Sequence, residues 1–141
     1  MIQTAIFWPV AVLAFWTFAI LLLVPLVRIR AVIARRLGPK DFRYGESERV
    51  PGDVAIPNRD YMNLLELPVL FYAIAIILYV TSRVDPIFVG LAWAFTGLRI
   101  THSLVHLSYN NVLHRIIVFA AATLVLLVIW VRFAWDLAAA G

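Results

Sequence analysis

Residues 59–81 read RDYMNLLELPVLFYAIAIILYVT. From Leu67 onward this stretch carries no charge, while its first part holds Arg59, Asn63 and Glu66. A bilayer crossing needs about 20 predominantly apolar residues, so the stretch reads as a membrane-spanning helix with a polar end. Pro68 lies in that polar half, where a helix in a membrane tolerates it. Arg59, Asn63 and Glu66 are spaced i, i+4, i+7, which puts them within roughly 60° of one helix face. Ionisable groups at membrane depth are costly and mark sites by default.

Three further spans follow from the same reading. Ile6 to Val27 is apolar and uncharged, with Pro9 in its first turn and Pro25 near its end. Ile87 to about Leu107 is apolar but interrupted by Arg99, His102 and His106. Arg115 to about Trp135 is the fourth. Arg28 to Arg59 is polar and carries eight of the twelve Lys/Arg residues, and residues 28–58 form the linker. Up to Leu37 it continues the first helix, Gly38-Pro39 breaks it, and the rest, with Pro51-Gly52 and Pro57, is expected to be loop. Arg83, Asp85 and Pro86 make a tight turn, and Ser108 to His114 is a short polar connection. The tail from Ala138 to Gly141 is expected to fray.

Composition agrees. The 141 residues are 64% hydrophobic, with mean hydropathy +0.93. The chain is therefore read as one all-α domain over residues 1–141, an integral membrane four-helix bundle. Cysteine is absent, which excludes disulfides, thiolate ligands and a protein thiol nucleophile. The net charge of +4 is mostly linker arginine, a topology signal that does not suggest nucleic-acid binding. The positive-inside rule places the linker in the cytoplasm and both termini outside. Trp8, Tyr79 and Trp135 then fall at the outer interface. The first apolar run lacks a basic flank and a cleavage site, so it reads as a retained helix. The expected location is a bacterial inner membrane.

The polar residues converge. Arg99, His102 and His106, spaced i, i+3, i+7, share a face of the third helix, and Asn110 extends that stripe if the helix runs on. Arg115 opens the fourth helix at the same level. Arginine grips carboxylates bidentately, Glu66 can take an ammonium, Asn63 can bond a peptide amide, and a further arginine can stabilise a thiolate. These residues admit any small zwitterion or anion, glutathione and a lipid head group among them. Plainer readings compete: a Glu66–Arg99 ion pair between helices, Arg59 and Arg115 snorkelling to phosphates, and Asn63 joining helices. His102 and His106 form an H-x3-H pair able to hold a metal from one helix face, without the Glu of H-E-x-x-H. A non-catalytic head-group module and, last, a His-ligated metal protein are therefore the alternatives to an enzyme.

At these residues the chain resembles the MAPEG family, the membrane-associated proteins in eicosanoid and glutathione metabolism, in the manner of a bacterial member. The resemblance rests on Arg59-x3-Asn63-x2-Glu66 with Pro68 beyond, on the run Leu98 to His106, and on Arg115. It implies a homotrimer of four-helix bundles with glutathione as cofactor between subunits, held by Arg59, Asn63 and Glu66 with His102 along the same pocket; Arg99 and His106, on the same helix face as His102, are read as further binding residues. Arg115 would be the catalytic residue that stabilises the thiolate. It also implies transferase or peroxidase activity on an apolar electrophile drawn from the membrane lipids. The chain departs from the family pattern at His106, where well-known members carry a tyrosine. Ile116 stands where isomerase-type members have a serine, which speaks against a prostaglandin-type isomerase.

Overall fold

The computed structural model describes residues 2–139. Among them the chain forms α1 (Phe7–Ile33), α2 (Gly52–Glu66), α3 (Pro68–Val80), α4 (Pro86–Leu107) and α5 (Val112–Ala139), with 3-10 turns at Gln3–Ile6 and Pro39–Phe42. Helices α2 and α3 run on as one rod, since Leu67 between them keeps helical angles. Pro68 removes one backbone donor there, and Leu70 N–H turns to the Leu67 carbonyl at 3.1 Å. The four resulting rods, 3–33, 52–80, 86–107 and 112–139, are each long and apolar enough to cross a membrane. The fold is thus the all-α four-helix membrane bundle that the hydropathy indicates. Its outer faces are apolar and lipid-ready, as at Phe15, Leu22 and Val80.

Several boundaries differ from the sequence reading, for local reasons. Helix α1 stops at Ile33, ahead of Gly38-Pro39, because Arg35 takes the left-handed conformation at φ 54°. The N–H groups of Arg35 and Arg36 then close on the carbonyls of Val32 and Ala31, a Schellman-like ending built without glycine. Residues 52–58, expected to be loop, are helical. Pro51 lies just outside the helix with extended angles, and Pro57 falls early enough to cost only one backbone bond. Helix α4 ends at Leu107, so Asn110 lies beyond it at φ 48°. Helix α5 continues through Ala139, so Ala138 and Ala139 are helical, while Ala140 and Gly141 lie outside the described residues.

Helix α4 touches α1, α2 and α5. Its buried stripe is Phe88, Ala92, Phe95, Arg99, His102 and His106, a continuous i, i+3/i+4 series that changes from apolar to polar halfway down. The apolar half packs with Leu13, Phe71, Ile74, Leu78 and Leu126. Lipid tails remove the hydrophobic drive between helices, so shape fit and hydrogen bonds hold them. Thr96 donates to the Pro9 carbonyl at 3.1 Å, and Trp16 donates to Ser103 Oγ at 2.9 Å.

The end of the bundle that carries both termini is clasped. Gln3 bonds Ser82 and Val84, and Arg83 donates to the Asp136 carbonyl at 2.8 Å. Asp85 caps α4 by accepting from Phe88 N–H at 2.8 Å and takes both Arg132 donors in an ion pair. Burial works against the Asp85 charge, but Arg132 and the Phe88 N–H outweigh it, and the carboxyl is held below its ordinary 3.8. A carboxylate depressed in the folded state adds stability above its unfolded value and loses it as pH falls through the folded one. The thermal midpoint is therefore expected to drop as pH is lowered below about 4, and Asp85→Asn should flatten that dependence. The check is a melting series from pH 7 to pH 2. Equal acid sensitivity in both proteins would show that this clasp is not the acid-labile element.

Candidate functional site

The opposite end of the bundle, where the 34–51 linker and the 108–111 connection lie, gathers the polar residues. Asn63 of α2, His102 of α4 and Arg115 of α5 line one groove of about 290 Å³, walled by Ile116, Phe119 and Ala120. Arg99 lies directly behind it and is fully buried. Its Nη2 donates to the Asn63 carbonyl at 2.6 Å, and its guanidinium sits 5.6 Å from the Phe119 ring centroid, a cation–π distance. His102 also packs on Phe119, and His106 stands edge-on to it with ring centroids 6.1 Å apart.

Two asparagines explain how Arg115 reaches the groove. Asn111 accepts from Leu113 N–H at 3.0 Å and His114 N–H at 3.1 Å, which is an N-cap. Asn110 adopts positive φ, as asparagine does more readily than most residues. Its side chain then accepts from Arg115 Nη1 at 2.9 Å, which steadies the guanidinium. Tyr109 faces away, bonded to His114 at 2.9 Å.

The predicted residues thus divide. Asn63, His102 and Arg115 line the groove, with Arg99 and His106 buried behind it. Arg59 and Glu66 lie exposed on the flank of α2, outside its lining. The alternative Glu66–Arg99 ion pair does not form; the described ion pairs are Arg28–Glu46, Arg36–Asp53 and Arg132–Asp85. Arg99 has the Asn63 carbonyl instead. Among the described residues no three His, Asp or Glu side chains group to hold a metal.

One residue of the site escaped the sequence reading. Asp60 is fully buried and accepts from Ser103 Oγ, which completes a chain from Trp16 through Ser103 to Asp60 across α1, α4 and α2. Arg99, His106 and Arg115 all lie within its electrostatic reach. A signal existed: Pro57, Asp60, Leu64, Pro68 and Phe71 form the buried stripe of α2 and α3, with Asp60 in helical register. Asp60 Oδ1 and Arg99 Nε and Nη1 are enclosed and lack hydrogen-bond partners among the described residues. Such atoms are costly to leave unpaired. The groove mouth, with one arginine, an amide and an imidazole, suits an anionic, hydrogen-bonding ligand.

The sequence model of the MAPEG family matches residues 6–135. No curated protein and no solved structure gives a match.

Proposed function

The chain belongs to the MAPEG family, and from that premise we propose that it binds glutathione in the Asn63–His102–Arg115 groove and transfers the thiol to an apolar electrophile or reduces a peroxide with it. The observation that carries this reading is the convergence of those three side chains, from three helices, on one groove that opens along the bundle flank.

Arg115 stabilises the thiolate, since a neighbouring cation favours the charged sulfur. Asn63 and His102 bond the peptide, and Arg99 fixes the Asn63 turn. At about 290 Å³ the groove falls at the small end of ligand sites, which run from about 300 to 1,000 Å³. A neighbouring copy in a homotrimer completes it, with the exposed Arg59 and Glu66 supplying charge partners for the peptide's ends. The co-substrate arrives from the bilayer along the apolar wall of Ile116 and Ala120. In this reading the linker end faces the cytoplasm, because it carries the excess of arginine.

Glutathione should raise the melting temperature of the detergent-purified protein, by about 2.7 kcal/mol of stability at a hundredfold excess over its dissociation constant. Asn63→Ala and Arg59→Ala should each remove most of that shift. A wild-type melting curve that millimolar glutathione leaves unmoved would sink the reading.

A further inference from the structure

We propose a second site, for one anionic phospholipid, where the linker folds back on the end of α1, away from the Arg115 groove. It has a polar and an apolar half that meet at Val32. The polar half is a concavity of about 510 Å³ lined by Arg35, Arg36, Arg49 and Asp41. The apolar half is a groove of about 350 Å³ lined by Ile29, Val32, Ile33, Pro39 and Phe42, with Arg28 at its edge.

The charges of the polar half are unevenly spoken for. Arg36 is engaged by Asp53 at 3.0 and 3.1 Å. Asp41 accepts from Gly38 N–H and Ser47 O–H, both at 2.9 Å, and attracts Arg49 only at longer range. Among the described residues Arg35 has no hydrogen bond or ion pair through its side chain. Two guanidinium groups therefore remain for an external anion. Arg35 is also held at φ 54°, a conformation that disfavours a non-glycine residue.

The placement fits an amphiphile in a bilayer. The uncharged run of α1 ends at Val27 and the helix at Ile33, so Arg35 follows about 12 Å of helix rise beyond the run, and its long side chain can reach back to head-group depth. The apolar groove lies on the membrane side, where Ile29 and Ile33 are more than half exposed. The linker wall is braced there, with the Arg28 guanidinium 5.0 Å from the Phe42 ring centroid and paired to Glu46 at 3.1 Å. An anionic head seated by Arg35 and Arg49, with an acyl chain along Ile29, Ile33 and Phe42, uses both halves. A free phosphate uses only one.

The test is native mass spectrometry of the full-length protein, delipidated in neutral detergent and titrated with phosphatidylglycerol, phosphatidylcholine or inorganic phosphate. The wild type should retain phosphatidylglycerol well above phosphatidylcholine. Arg35→Gly with Arg49→Gln should cut that preference about fivefold per arginine removed. Glycine at position 35 suits the positive φ, so this variant keeps the turn. Phe42→Ala should weaken retention of phosphatidylglycerol through the apolar half. Equal retention of both lipids by the wild type, or an unchanged preference in the double variant, overturns the proposal. So does displacement of the lipid by equimolar inorganic phosphate, which would mark a soluble-phosphate site. None of these variants touches the Arg115 groove, so the glutathione melting shift reports on that groove separately.

Discussion

Arg115→Ala is expected to lower glutathione-dependent turnover by about 10²–10³-fold, the usual cost of removing one preorganised group that stabilises developing negative charge. The helix should be little disturbed, because its N-cap comes from Asn111 and alanine is a good helix former. The loss should appear in kcat more than in glutathione binding, since in the proposed mechanism the guanidinium acts on the sulfur and other groups hold the peptide. Asn110→Ala should give a smaller loss of the same kind, because it removes the 2.9 Å bond that steadies Arg115. Steady-state rates with a chromogenic electrophile, together with the ultraviolet absorbance of the bound thiolate, measure both effects. Turnover and thiolate signal that survive in Arg115→Ala would remove this residue from the mechanism.

The largest effect on stability is expected at Asp60. Asp60→Ala strips the acceptor from Ser103, ends the chain that begins at Trp16, and leaves Arg99 and Arg115 without their nearby carboxylate. A lost hydrogen bond to a charged group and an uncompensated buried charge together cost about 3 kcal/mol. Asp60→Asn keeps the acceptor for Ser103 but not the charge, so it should fall between the wild type and the alanine variant. Thermal unfolding in one detergent, at one protein concentration, ranks the three. If the alanine variant melts with the wild type, this chain does not hold α1, α2 and α4 together.

What the sequence disclosed follows from the strength of each physical signal. Long uncharged runs such as Ile6–Val27 give a span its position whatever surrounds it. The stripe Arg99, His102, His106 is equally plain, because three polar residues at helical spacing stand out in an apolar segment. That stripe was legible as a polar face but not as the interior of the bundle. Only the continuation upward to Phe88, Ala92 and Phe95 shows that it is the buried face of α4. Pro51-Gly52 and Pro57 misled in the opposite direction, because the residues that break a helix are also those that start one. Asp60 was hidden by its neighbour: beside Arg59 at the edge of a polar linker it passes for a surface charge, although the register from Pro57 to Phe71 places it inside.

The hydrogen bonds of α1 bear on the order in which the bundle is made. Its two polar tethers to α4, Trp16 to Ser103 and Thr96 to Pro9, both join residues 87 positions apart. A ribosome delivers α1 to the bilayer long before α4 exists, and Asp60 precedes Ser103 by 43 residues. The first two spans must therefore wait in lipid with a carboxylate and an indole N–H still seeking partners. Insertion of the third span brings Ser103 to both at once, so nascent chains stalled before residue 103 should lack a locked α1.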